Sequence, residues 1–203
     1  GLIVLLILAT TLFNSCGGPC WEASESQRAG IVPQGTEFAP LPDLNMKDKL
    51  NEYATFKLTA NIDHLTAKEK EILPYLFKAA KILEDLYWKQ AIGDRDAFLE
   101  NVKGQAAIDY AKINYGPWDS FHGTKPILTN VGPKPAGANF YPEDMTKEEF
   151  EQLSDPDKTS LYTLIRRDEK GALHSVWYHD AYKSEIEKVA ALLRTAANLA
   201  EDE

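Results

Sequence analysis

Residues 114–149 read NYGPWDSFHGTKPILTNVGPKPAGANFYPEDMTKEE, and everything else in the chain falls to one side of them or the other. The stretch has little periodicity. It holds Gly116, Gly123, Gly132 and Gly137, and Pro117, Pro126, Pro133, Pro135 and Pro142. Large aromatics stand between them: Tyr115, Trp118, Phe121, Phe140 and Tyr141. A flexible linker is rich in Gly and Ser or in charge, whereas aromatic surface is costly to leave in water. Long ordered loops inside compact domains are usually functional. The expectation is a Pro-pinned loop that lines a cleft.

Working outward on the N-terminal side, Phe98, Leu99, Val102, Ala106, Ile108 and Ala111 form a helical stripe that Gly104 divides. Asp94 is placed to cap this segment, and Gly93 to end the helix before it. That earlier helix carries Ile72, Leu76, Ala79, Ala80, Leu83 and Leu86 at helical spacing. Thr66 with Glu69 gives it a capping box. Pro74, inside the pattern, is expected to kink it or to move its start forward. The two helical segments are expected to lie antiparallel. Residues 56–62, FKLTANI, alternate in polarity and predict a short strand.

On the C-terminal side, Thr146 and Glu149 form a second capping box, for a short helix ending near Leu153. A turn over 154–157 follows. Residues 160–167 and 172–178 predict two strands joined by a hairpin loop at 168–171. Ile186, Val189, Ala190, Leu193, Ala197 and Ala200 mark a last amphipathic helix. The fold class is α+β: N-terminal helices, the long Pro/Gly/aromatic loop, a β-hairpin of a larger sheet or barrel, then a helix, together making a partial domain.

The bulk numbers agree with a globular chain. Its 203 residues are 44% hydrophobic and 26% charged, which excludes wholesale disorder. A formal net charge of −9, with no basic cluster beyond Arg166 and Arg167, argues against a nucleic-acid partner. The chain lacks an initial Met, and it reads as a fragment. Residues 2–13, LIVLLILATTLF, are shorter than the ~20 apolar residues a membrane span needs. They match the apolar core of a secretory signal. Ser15 and Cys16 after them resemble a bacterial lipoprotein signal, with Cys16 as the lipidated residue. Residues 1–20 are therefore read as a signal segment, 21–50 as a tether, and 51–203 as the folded part. The expected location is exported and membrane-anchored, in the periplasm or on the cell surface.

No complete catalytic set emerges. The four histidines, His64, His122, His174 and His179, form no His-Glu-x-x-His pair. A Gly-x-Ser-x-Gly nucleophile turn is absent, as is a phosphate-binding Gly-x-x-x-x-Gly-Lys loop. Cys16 and Cys20 lie beside the signal segment and make a poor metal site. Asp119 and His122 are spaced to share a hydrogen bond, either as an acid/base pair or as a brace for the loop. The loop offers stacking faces, the Lys125 charge and the two-way hydrogen bonding of Asn139, which are tools for holding an extended ligand.

Residues 114–119 (NYGPWD), 123–127 (GTKPI), 131–142 (VGPKPAGANFYP), 157–162 (DKTSLY) and 65–76 (LTAKEKEILPYL) are similar in wording and order to the dipeptidyl-peptidase III family of zinc metallopeptidases. The likeness is nearest to the bacterial branch of that family, and it runs from about Leu58 to Glu203. It implies a longer protein with two lobes around a cleft, which removes dipeptides from peptide N-termini. It implies zinc in that parent protein, held by a His-Glu motif and a later Glu. None of those positions occurs in this sequence, so no catalytic or metal residue is assigned and none of the zinc is expected on this chain alone. The resemblance implies Tyr115, Trp118, Phe121, Lys125, Asn139, Phe140 and Tyr141 as peptide-side or lobe-interface contacts. The alternative is a non-catalytic peptide- or glycan-binding lipoprotein using the same aromatic loop.

Overall fold

The computed structural model describes residues 36–200. The signal segment, Cys16, Cys20 and the first part of the expected tether lie outside the described residues. The fold mixes helix and strand, as expected, with no closed barrel among the described residues. The described residues divide into two compact units, one built from 56–87 and 176–200, the other from 36–55 and 88–175.

In the second unit, helix α1 is Met46–Asn51, capped by Asn45. Its presence corrects the tether reading of 21–50 for the residues that are described. Phe38 and Met46 are buried. Phe38 N donates to Asn101 O at 2.9 Å, and Lys103 N to Phe38 O at 2.7 Å. Thr129 N donates to Ala39 O at 2.8 Å, so residues 38–41 are laced between two other loops. The Gly and Pro content of 21–50 suggested a linker; one buried phenylalanine with paired backbone groups on both sides overrides it.

Helix α2 (Ala67–Ala91) starts at its capping box, with Thr66 N to Glu69 Oε2 at 2.6 Å and Glu69 N to Thr66 Oγ1 at 3.2 Å. Pro74 does not move that start. Its last turn, from Trp88 on, belongs to the second unit. Gly93, at φ +100°, ends it, and the Asp94 side chain accepts from Ala97 N to begin α3 (Arg95–Glu100). Gly104, at φ +89°, separates α3 from α4 (Gln105–Asn114). The expected antiparallel pair is not the main contact of α4, whose principal helical neighbour is α1. Phe38, Met46, Trp88, Ile92, Phe98, Val102, Tyr110 and Trp118 form the larger core of this unit, with Ile127 and Leu128.

After α4 come two two-residue strands, β1 (Trp118–Asp119) and β2 (Lys125–Pro126), paired antiparallel with Asp119 opposite Lys125. A 3-10 turn over Ala138–Phe140 precedes α5 (Lys147–Gln152), whose capping box is complete. Lys158 Nζ closes the other end of α5 by donating to the carbonyls of Phe150 (2.9 Å), Glu151 (3.0 Å) and Leu153 (2.8 Å). A smaller core of Met145, Phe150 and Ile165 lies here.

The hairpin is present as β3 (Thr163–Arg167) and β4 (Leu173–Trp177). Among the described residues these two strands form a sheet of their own, so the larger sheet is not seen. The strand starts later than the alternation implied. Leu161 and Tyr162 are exposed, while Thr163, Leu164 and Ile165 are buried in succession, which breaks a simple two-faced pattern. The loop turns at Gly171 (φ +82°), with Asp168 Oδ1 accepting from Lys170 N and Ala172 N.

In the first unit, Ala79 and Leu86 of α2 are buried, as are Val189 and Ala196 of the last helix. That helix is α7 (Lys183–Leu199), entered through the short α6 (Tyr178–Ala181). The predicted strand at 56–62 is absent: these residues are exposed and belong to no strand. Alternation supplies faces, but a strand needs a neighbour to pair with.

Candidate functional site

The residues expected to bind a ligand fall into two groups, joined at the end of α2. Tyr115 ends α4 in the left-handed region (φ +53°) and its ring lies 5.0 Å from that of Trp88. Gly116 follows at φ +150°, where a Cβ would come 2.9 Å from Ile92. Trp118 is buried and donates its indole N–H to Gly132 O at 2.9 Å, so its ring packs the loop. Phe121 projects, 76% exposed, against the edge of Tyr53. Lys125 is exposed on β2.

The second group is held by its backbone. Arg166 donates to Asn139 O at 3.0 Å, Phe140 O at 3.3 Å and Ile165 O at 2.7 Å. Phe140 and Tyr141 are half-buried, and Tyr141 meets Phe150 edge-on at 5.9 Å. The Asn139 side chain donates to Lys89 O at 2.7 Å, one residue beyond the tryptophan that touches Tyr115. The last turn of α2 therefore fixes both groups, and Phe121 and Lys125 are the expected contact residues whose side chains face solvent.

Beside Phe121 lies a polar cluster that the sequence shows only in part. Asp119 is buried, at 2% exposure. One of its carboxylate oxygens accepts from Phe121 N (3.0 Å) and His122 N (3.1 Å). The other meets His122 Nδ1 at 2.9 Å and Lys49 Nζ at 3.2 Å. Lys49 also reaches Glu52 at 3.1 Å, and His122 Nε2 stands 3.8 Å from Glu52. Burial by itself would raise the Asp119 pKa, but His122, the neighbouring Tyr110 hydroxyl and Lys49 outweigh it and hold the carboxyl at about 2. The hydrogen bond of Lys49 to Glu52, aided by Asp119, raises the ammonium pKa against partial burial.

Beneath them the Tyr110 hydroxyl is wholly buried, with no hydrogen-bond partner among the described residues. Burial and then the nearness of Asp119 and Tyr53 push its pKa far up, so it stays neutral. Asn114 ties helix to loop, donating to Tyr110 O (3.0 Å) and accepting from Ser120 N (2.9 Å).

The sequence pointed to the Asp119–His122 pair and missed Lys49, Glu52, Tyr53 and Tyr110. Lys49 and Glu52 sit one turn apart, a spacing that could have marked a helix inside the supposed tether. The cluster is an ionic brace with an exposed imidazole edge. It is not a metal cage: Asp119 spends its oxygens on backbone donors, His122 and an ammonium. Among the described residues no group of three or more His, Cys, Asp or Glu could hold a metal ion. The zinc that the resemblance implies therefore does not fit these residues.

Two solved structures share this architecture. The structure of DPP III from Caldithrix abyssi superposes with a TM-score of 0.69 at 30% identity, covering 76% of this chain and 32% of that one. Dipeptidyl-peptidase III from Corallococcus sp. strain EGB gives a TM-score of 0.69 at 28% identity, covering 77% and 32%. The chain is dipeptidyl-peptidase III-like. It spans about a third of the length of these solved structures, so the fold it carries is a partial domain of theirs. The relation is a peptidase-like one. Among curated proteins, Nudix hydrolase 3 from Arabidopsis thaliana is 24% identical across 77% of this chain and 28% of that protein. No family model matches the chain.

Proposed function

We propose that this sequence is part of a zinc-dependent exopeptidase that releases dipeptides from peptide N-termini. The observation that supports the reading is the dipeptidyl-peptidase III-like architecture, at 28–30% identity over three quarters of the chain. In this reading the described residues supply one wall of the peptide cleft and no chemistry. Phe121 and Lys125 offer an apolar face and a charge to a bound peptide, while Trp118, Asn139 and Arg166 keep the wall rigid. The zinc and its activating glutamate belong to residues other than those described. The apolar run at 2–13 and Cys16 support export with a lipid anchor as part of the same proposal.

The test is to express the gene product that carries this sequence and assay hydrolysis of dipeptidyl-naphthylamides, with and without a chelator. Zinc-dependent dipeptide release is the expected result. A gene product with no His-Glu zinc motif and no hydrolysis would overturn the reading, leaving a binding lipoprotein in its place. Mass spectrometry of the mature N-terminus checks Cys16: an acylated Cys16 is expected, and an unmodified or retained leader argues against the anchor.

A further inference from the structure

Glu52 caps the C-terminal end of α1 and Tyr53 follows it, while Phe121 and His122 lie in the turn between β1 and β2. The two pairs meet residue for residue. His122 Nε2 stands 3.8 Å from Glu52 Oε2, and the Phe121 ring meets Tyr53 at 90° with 5.5 Å between centroids. Tyr53 in turn lies edge-on to the buried Tyr110, at 5.7 Å. The apolar half of this contact is therefore made. The ionic half is not, because 3.8 Å is too long for a hydrogen bond.

The proton on the imidazole accounts for the gap. Asp119 is held ionised and can only accept, so its 2.9 Å contact assigns the ring proton to Nδ1. In the neutral ring Nε2 then turns a lone pair toward the Glu52 carboxylate, and the two do not attract. A second proton would put a donor and a positive charge at that same nitrogen. Around the ring stand the carboxylates of Asp119 and Glu52 and one ammonium, Lys49, whose Nζ is 3.4 Å from Nδ1. Lys49 opposes the added charge, but two negative groups against one positive leave room for it. Tyr110, behind Asp119, stays neutral, and Lys125, opposite Asp119 on β2, is the remaining charge on the hairpin. Of these side chains only imidazole ordinarily changes charge between about pH 5 and about pH 8.

We propose that Glu52–Tyr53 and Phe121–His122 form a proton-operated clasp between the end of α1 and the β1–β2 turn, in which a proton on His122 Nε2 draws in Glu52 and holds Phe121 against Tyr53. Loss of that proton frees the ionic half and loosens the turn. Glu52 and His122 are both half in water, so the clasp shifts a population and does not lock one state. It stands apart from the peptidase reading. Only its consequence, a steadier Phe121 face in acid, rests on that reading.

Hydrogen exchange followed by mass spectrometry tests the clasp, on the gene product that carries this sequence. Exchange at the imidazole C2 position gives the midpoint of each histidine. Amide exchange, corrected for its intrinsic pH dependence, gives the protection of the 119–123 turn. From about pH 8 to about pH 5.5 that protection should rise about threefold or more. Glu52→Gln keeps the shape and removes the charge. It should lower the His122 midpoint by about 0.5 unit and leave those of His174 and His179 in place. His122→Asn should make turn protection indifferent to pH. Protection in the parent that stays flat or falls in acid overturns the proposal, and that measurement needs no variant. A His122 midpoint unmoved by Glu52→Gln overturns it as well. Neither measurement reads hydrolysis, so failure of the clasp and failure of the peptidase reading are told apart.

Discussion

His122 Nδ1 lies 2.9 Å from the same Asp119 carboxylate oxygen that Lys49 reaches at 3.2 Å. The imidazole and the ammonium thus share one buried acceptor, and that acceptor joins α1 to the turn between β1 and β2. Asp119→Asn keeps the shape and removes the charge. It should cost about 2 kcal/mol, because Lys49 loses a partner and the loop amides lose a charged acceptor. Urea unfolding measures it; a loss within experimental error would mean that the cluster is decorative.

The same carboxylate sets a pH dependence. Its folded pKa of about 2 lies below the ordinary carboxylate value of about 3.9. A depressed pKa contributes stability that is fully present above the unfolded value and is lost as pH falls through the folded one. Stability should therefore decline between roughly pH 4 and pH 2, and Asp119→Asn should flatten that limb. Glu149, lowered by its hydrogen bond from Arg167, acts in the same direction. Chemical denaturation at stepped pH shows the slope; equal slopes in parent and variant would contradict the assignment.

Two glycines in the central loop separate space from backbone strain. Gly137 is at φ +75°, and a Cβ there would run into the Tyr141 ring; Gly123 is at φ +77° with open space around it. Gly123→Ala should cost about 1 kcal/mol, the left-handed penalty alone. Gly137→Ala should cost about 2 kcal/mol or more, because the ring must move as well. Equal melting temperatures for the two variants would show that Tyr141 yields freely.

Trp118 and Phe121 are both loop aromatics, but their exposures of 3% and 76% assign them different work. Trp118→Ala should destabilise by about 3 kcal/mol or more. Phe121→Ala should change stability by less than about 0.5 kcal/mol. In the dipeptide-releasing gene product proposed above, Phe121→Ala should raise KM and leave kcat alone, as expected for loss of a uniform binding contact. An unchanged KM would remove Phe121 from the cleft wall.

The 203-residue chain by itself should bind no stoichiometric zinc and should hydrolyse no dipeptidyl substrate. Elemental analysis after dialysis, with a naphthylamide assay, checks both. Tight zinc binding accompanied by turnover would place the chemistry within these residues.

What the sequence showed well were features written in adjacent residues. Both capping boxes, the Gly93–Asp94 stop and start, the division at Gly104 and the Asp168–Gly171 turn are local, and each is present. What it hid depends on distant partners. Phe38 sits in a polar, Pro-rich surrounding, and only its backbone bonds to Asn101 and Lys103 make it core. Lys49 and Glu52 take their role only from Asp119 and His122, which lie some seventy residues further along the chain. Residues 56–62 show the reverse case, a good strand pattern with no ladder. Trp118 looked like a stacking platform because composition cannot tell which face of an aromatic ring is already covered.

The three carbonyls gathered by Lys158 bear on the order in which the chain folds. Helix α5 is six residues long, too short to persist alone in water. Its capping box sits at one end, and the ammonium that closes the other end comes from eight residues or fewer along the chain. Both clasps are reached by closing very small loops, which takes little entropy and little time. This segment can therefore assemble early, as a local nucleus onto which β3 and its buried Ile165 later condense. Lys158→Gln should slow refolding more than it speeds unfolding.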